Sequence, residues 1–211
     1  MRGLIKYFLI IFFIANASSQ DKLFTIIDPD QTGIHFSNDL IDTKENNVFL
    51  YANFYGGAGV GVGDFDNDGL DDLFFAGNLV DDKIYKNLGN LKFQDKTPNS
   101  GIINDTSWST GVTVADVNND GLLDIYVSCE LYDDQPKLRT NKLYINKGNF
   151  EFDELAAKWN VDVDRRTRHA VFFDYNKDGL LDLYLLNHPP NTGNFSPFLG
   201  TDMKLPEYNL Q

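Results

Sequence analysis

Three short stretches of the chain carry oxygen-bearing side chains at alternate positions and close on a glycine. VGDFDNDGLDDLFF (Val62–Phe75) supplies Asp64, Asp66, Asp68 and Asp72. ADVNNDGLLDIYV supplies Asp116, Asn118, Asp120 and Asp124, and FDYNKDGLLDLYL supplies Asp174, Asn176, Asp178 and Asp182. All three read D-x-[DN]-x-D-G-x-x-D. Acids crowded in this way repel one another unless a cation neutralises them. Calcium accepts six to eight oxygens at ~2.3–2.6 Å with tolerant geometry, so a chain with carboxylates at alternate positions can curl around it. Positions one, three, five and nine offer side chains, and position seven (Leu70, Leu122, Leu180) offers a main-chain carbonyl. Gly69, Gly121 and Gly179 at position six permit the tight turn. The expectation is about three structural calcium ions, one per loop.

Other metals fit less well. Zinc or copper would require His or Cys, and none lies in the loops. Magnesium takes fewer protein ligands and keeps more water. An EF-hand would place an acid at position twelve between helices, where Phe75, Val127 and Leu185 stand instead. Ligand charge ranks the loops. Loop one has acids at positions one, three, five and nine, loops two and three replace position three with Asn118 and Asn176, and loop three adds Lys177. Loop one is therefore expected to fill first and loop three last.

The elements that position these loops are short strands. Ahead of each loop lie Gly59–Gly63, Gly111–Ala115 and His169–Phe173, and after each lie DLFFAG, DIYVS and DLYLLN. Their β-branched and aromatic enrichment over four to six residues reads as strand. A third element follows in KIYKNLGN and KLYINKGN, and a fourth in LKFQDKT and FEFDELA. The first aspartates of the loops, Asp64, Asp116 and Asp174, are 52 and 58 residues apart. Four strands repeating at that period indicate β-propeller blades. In YGGAGVGVGD, Gly57, Gly59, Gly61 and Gly63 share one strand face, which suits an inner strand where blades crowd together. A phosphate-cradling loop is excluded there, since no lysine follows and G-x-G-x-x-G is absent.

The fold class is thus all-β, an incomplete propeller of about three four-stranded blades. The expected organisation is a signal peptide over 1–19, an N-terminal outer strand and lead-in over 20–56, blade 1 over 57–107, blade 2 over 108–159 and a partial blade 3 over 160–211. The outer strand is placed at LFTIIDPDQTGI, which matches KFQDKTPNSGI and, more loosely, FEFDELAAKWNV. It has no blade of its own ahead of it, so the sequence reads as the front part of a longer propeller.

Composition sets the surroundings. The 211 residues are 42% hydrophobic and 14% aromatic, values of a folded chain. A net charge of -13 argues against nucleic acid as partner. Of the 31 acids, 11 lie between positions one and nine of the loops, so a structured counter-ion accounts for them better than a solvated surface does. MRGLIKYFLIIFFIANASSQ has basic residues, an apolar run and then small residues, the pattern of a secretory signal peptide with Ala15-Asn16-Ala17 as cleavage motif. No later segment is apolar enough to span a membrane. Secreted, periplasmic or cell-surface placement follows. Cys129 is the only cysteine, so no internal disulfide forms and calcium takes over as staple.

The loop together with the L-Y-x-N-x-G turn resembles FG-GAP/VCBS repeats, as in integrin α propellers. WSTGVTVADVNNDGLLDIYV, KLYINKGNFEF and FFDYNKDGLLDLYLLNH are similar to the secreted bacterial VCBS-repeat proteins related to cartilage acidic protein, of ASPIC/UnbV type. The resemblance runs from Phe24 to His188. It implies a calcium-binding propeller, but this repeat serves adhesion, sugar binding and enzyme scaffolding alike.

Among the remaining residues, Arg165-Arg166-Thr167-Arg168-His169 is the one basic cluster. It reads as an inter-blade loop paired with nearby acids, or as a site for an anionic sugar or phosphate. Trp108 reads as packing or sugar stacking, Trp159 as inter-blade core, and Cys129 as a buried strand residue. His35 and His188 lack partners at ligand spacing. No catalytic constellation is present. Two functions stay open: a non-catalytic secreted or surface module for adhesion or for binding a glycan or protein, and the scaffold of an extracellular polysaccharide lyase or hydrolase.

Overall fold

The computed structural model describes residues 23–51, 53–103, 105–131 and 136–188. The expected signal peptide and the tail after His188 lie outside these residues. Strands β1 (Val60–Gly63), β2 (Asp72–Phe75), β3 (Lys83–Asn87) and β4 (Phe93–Asp95) form one antiparallel sheet in that order. A second sheet repeats the arrangement with β5 (Ser109–Ala115), β6 (Asp124–Cys129), β7 (Lys142–Asn146) and β8 (Phe152–Glu154). β9 (Thr167–Phe173) and β10 (Asp182–Asn187) pair as the inner half of a third. Among the described residues the architecture is an incomplete β-propeller with two whole blades and half of another.

The inner strands β1, β5 and β9 stand side by side and line one open groove with Val60, Val62, Val112, Val114, His169 and Val171. The main core lies between blades 1 and 2, where Phe65, Phe74 and Ile84 meet Ile125, Val127, Tyr144 and Phe152. The glycine face of β1 is explained by this packing. A Cβ on Gly59 would lie 2.7 Å from the Thr110 carbonyl oxygen, and one on Gly61 2.7 Å from Val112 Cγ1. The crowding comes from the inner strand of the next blade. The opposite face of β1 exposes Val60 and Val62, and blade 3 exposes Val171, Phe173, Tyr184 and Leu186.

The segment expected as an N-terminal outer strand contains no strand among its described residues. It holds instead the short helix α1 (Pro29–Thr32), with Asp28 Oδ1 accepting from the Asp30 N–H at 2.9 Å and proline in the first turn. Leu23, Phe24 and Ile26 are exposed, and among the described residues no strand pairs with them. What survives of the repeat is the turn. Gly33 (φ 80°) and Gly101 (φ 86°) adopt the left-handed conformation, and each backs onto the carbonyl of the following outer strand, at Phe93 and Phe152. Blade 2 ends in the same way at α2 (Ala156–Trp159), with Asn160 in the left-handed position. Trp159, expected in the inter-blade core, is 40% exposed on this helix.

Adjacent blades are clipped together by one repeated residue just ahead of the third strand. In blade 1, buried Asp82 accepts from the Gly77 N–H at 2.8 Å and from Ser109 Oγ at 3.1 Å. In blade 2, Asn141 accepts from the Cys129 N–H at 2.8 Å and donates to Thr167 Oγ1 at 3.0 Å. Burial pushes the Asp82 carboxyl up to about 6, with Lys142 and its hydrogen bonds pulling the other way. A folded-state value above the ordinary ~3.9 means that the folded chain holds the proton more tightly, so this group's stability contribution falls as pH rises from about 4 through about 6. Asp82→Asn, which copies blade 2 and keeps both bonds, should therefore raise stability at pH 7–8 by ~1–3 kcal/mol and leave it nearly unchanged at pH 4. Urea denaturation at the two pH values checks this; equal effects at both would contradict it.

Candidate metal loops

The three acidic loops leave the same ends of the inner strands and fold on one hydrogen-bonding plan. Position one receives two backbone N–H groups. Asp64 accepts from Asp68 at 3.0 Å and Gly69 at 2.8 Å, Asp116 from Asp120 and Gly121, and Asp174 from Asp178 and Gly179. Position five turns inward onto position seven, with Asp68, Asp120 and Asp178 accepting from the N–H of Leu70, Leu122 and Leu180. In loops two and three, the position-three side chains Asn118 and Asn176 each exchange bonds with the acid at position five. Position six has φ of 86–90° in all three, a conformation that favours glycine, and no atom crowds it. Position four is also left-handed, at Asn67, Asn119 and Lys177. The asparagines there were the sequence signal for it, since Asn tolerates this region.

Position nine has a second duty. Asp72 accepts from the Phe65 N–H at 3.0 Å and the Asn87 N–H at 2.7 Å, and Asp124 from Val117 at 2.9 Å and Asn146 at 2.8 Å. Both acids are fully buried. Asp182 makes the first of these bonds, with Tyr175 at 2.8 Å, and stays exposed. Burial raises the Asp72 carboxyl, and takes that of Asp124 up to about 6 with Asp120 and Asp116 adding to it. Asn87 and Asn146 were not singled out from sequence, although they are the asparagines of the L-Y-x-N-x-G turn. The Asn146 amide donates to the carbonyls of Phe65 in loop one and Leu123 in loop two, and its Oδ1 caps the Gly148 N–H. The two motifs occur together because one asparagine ties them.

Carboxylate oxygens of Asp64, Asp66 and Asp72 lie within 4.8 Å of one another and could hold a metal ion. Asp66 Oδ1 is buried and has no hydrogen-bond partner. An all-oxygen donor set with one orphaned carboxylate oxygen fits a hard cation. Asp68 faces Lys86 on β3, which is also bonded to Asp66. The Lys86 ammonium holds the Asp68 carboxyl below the usual range, helped by the Leu70 N–H. Loops one and two touch through the Asn67 amide, which donates to the Gly121 carbonyl at 3.0 Å.

A family model described as FG-GAP-like repeat matches residues 64–127, from the first acid of loop one to β6. Residues 64–127 thus carry an FG-GAP-like repeat. Cartilage acidic protein 1 of Xenopus tropicalis is similar to it, 26% identical over 179 residues that make up 83% of this chain and 27% of that protein. The chain thus spans about a quarter of the length of the relative it matches.

At the other end of the sheets, the basic cluster is paired rather than free. Glu130, fully buried after β6, meets Arg168 Nη1 at 3.0 Å, Arg166 Nη2 at 3.5 Å and His188 Nδ1 at 3.4 Å. The Arg166 guanidinium also lies over the Tyr51 ring. Arg165 and His169 remain exposed. His188, without a partner by sequence spacing, gains one through the fold, and His35 lies 4.0 Å from Asp30. Trp108 is buried against Tyr51 and Phe54, which leaves it no face for a sugar. Cys129 is buried on β6, and burial pushes its thiol up to about 12. Among the described residues no helix is long and apolar enough to cross a membrane.

Proposed function

We infer that this is part of a secreted or cell-surface FG-GAP propeller, non-catalytic, in which calcium is structural and the loop-bearing faces bind a glycan or protein partner. The observation that carries the calcium reading is the common hydrogen-bond plan of the three loops, together with the orphaned Asp66 oxygen. FG-GAP repeats commonly bind calcium, which supports the same reading. The residues that would hold it are Asp64, Asp66, Asp68, Asp72 and the Leu70 carbonyl in loop one. Asp116, Asn118, Asp120, Asp124 and the Leu122 carbonyl serve loop two. Asp174, Asn176, Asp178, Asp182 and the Leu180 carbonyl serve loop three. Bound calcium would supply the positive charge that the crowded acids lack.

The partner reading draws on a different feature. Large side chains such as Phe49 and Tyr55 are exposed ahead of β1, on loops rather than on strands. The test is stoichiometry: elemental analysis or calorimetry on calcium-saturated protein should find about three ions per chain. A value of zero or one would remove the calcium reading.

A further inference from the structure

The two complete repeats differ at one position that faces an acidic loop. The third strand reads Lys83-Ile84-Tyr85-Lys86-Asn87 in blade 1 and Lys142-Leu143-Tyr144-Ile145-Asn146 in blade 2. Asn87 and Asn146 each donate a main-chain N–H to the position-nine acid of their own blade, which sets Lys86 in the place of Ile145. The loops change in step. Loop one has Asp66 where loop two has Asn118, so the extra acid and the extra base belong to the same blade.

They are also in contact. Lys86 Nζ bonds Asp66 Oδ2, lies 2.7 Å from Asp68 Oδ2 and stands 5.8 Å from the centre of the Phe150 ring. Its side chain is only 21% exposed. Blade 2 has an apolar side chain at this position, Ile145, which belongs to a buried cluster with Tyr126 and Leu143.

We propose that Lys86 is the resident counter-cation of loop one and gives up Asp66 and Asp68 when calcium enters. The proposal rests on the calcium reading above and adds to it a regulator of one site. The ammonium brings a single charge and leaves Asp66 Oδ1 without a partner. A divalent ion brings twice the charge and can take that oxygen as well. Filling loop one is then an exchange of cations, whereas loops two and three capture theirs directly. With Lys86 counted, the acids at the ligand positions of loop one (Asp64, Asp66, Asp68 and Asp72) carry the same net charge as those of loop two, while Asp71 at position eight is exposed. The expectation that loop one fills first overlooked this lysine, which cancels its advantage.

The experiment compares the full chain with Lys86→Ile, which copies blade 2, and with Lys86→Arg, which keeps the charge. Calcium is titrated by calorimetry, and melts are recorded in EDTA. Lys86→Ile should tighten one site on the order of tenfold or more, the effect of removing a like charge a few ångströms from the ion, and leave the others unchanged. It should also lower the melting temperature in EDTA, where Asp66 and Asp68 have lost the Lys86 counter-charge. Lys86→Arg should do neither. Adding Asp66→Asn to Lys86→Ile rebuilds the composition of loop two and should cancel both effects. A readout without mutation is the 15N signal of the Lys86 ammonium, expected to be protected from exchange in EDTA and exposed when calcium is added. Unchanged or weakened affinity in Lys86→Ile would overturn the proposal, as would equal tightening in Lys86→Arg or an ammonium signal indifferent to calcium. A flat titration of the unaltered chain would overturn the calcium reading itself, and is distinguishable because it needs no variant.

Discussion

Chelating calcium should lower the melting temperature by on the order of 10 °C or more, and restoring calcium should bring it back. Each loop places three or four acids at its ligand positions on a tight frame, and their repulsion opposes the hairpin whenever no cation is present. An ion that binds only the folded loop adds ~2.7 kcal/mol per site when its concentration is a hundredfold above Kd. Three such sites amount to a large share of an ordinary stability of ~5–15 kcal/mol, in a chain whose single cysteine rules out an internal disulfide. The loss should be uneven. Loop one keeps Lys86 as a substitute cation, so hydrogen exchange in EDTA should rise first in β5–β6 and β9–β10 rather than in β1–β2. Magnesium at the same concentration should restore only part of the loss, since it gives up its water reluctantly. Superimposable melts in EDTA and calcium would return the loops to the status of acidic surface.

The backbone of the fold was legible because each signal was local and repeated. Val60, Val112 and Ala170 lie on inner strands, and Asp72, Asp124 and Asp182 open the second strands, all at offsets that three copies make plain. The glycine face of β1 could be read as crowding, although only the structure identifies the crowding neighbour as β5. What stayed hidden depended on contacts between distant parts of the chain. Glu130 and Arg168 are 38 residues apart and become partners only when blades 2 and 3 stand side by side. Lys86 and Asp66 are separated by 20 residues and meet because β3 runs back past the loop. The segment expected as an outer strand, LFTIIDPDQTGI, illustrates the converse. Its resemblance to the β4 region was real, as the matching turns at Gly33 and Gly101 demonstrate, but a strand is made by its partner and not by its own residues. Trp159 was misplaced for a similar reason: a large apolar side chain was assigned to the core by type, while its helix turns it outward.

The position-nine acids should prove more costly to remove than any other loop residue, and the cost should persist without calcium. Asp124 is fully buried and accepts two backbone N–H groups, one from loop position two and one from the third strand. Replacing it by alanine strands both donors away from water, and hydrogen bonds to a charged acceptor contribute ~1.5–3 kcal/mol each. Against this, the buried charge is itself unfavourable, as its carboxyl at about 6 indicates, and its removal returns part of the loss. The two donors outweigh the one charge, so Asp124→Ala should destabilise the chain by ~2–4 kcal/mol in EDTA and by more in calcium, where a site is lost as well. Asp120 provides the contrast. It is exposed and accepts from the Leu122 N–H and the Asn118 amide within its own loop. Asp120→Ala should therefore melt close to the unaltered chain in EDTA and fall behind it only in calcium. Measuring both variants under both conditions separates a ligand from a staple. If Asp124→Ala matched the unaltered chain in EDTA, the acid would be a ligand alone, and the bonds to Val117 and Asn146 would contribute nothing to the fold.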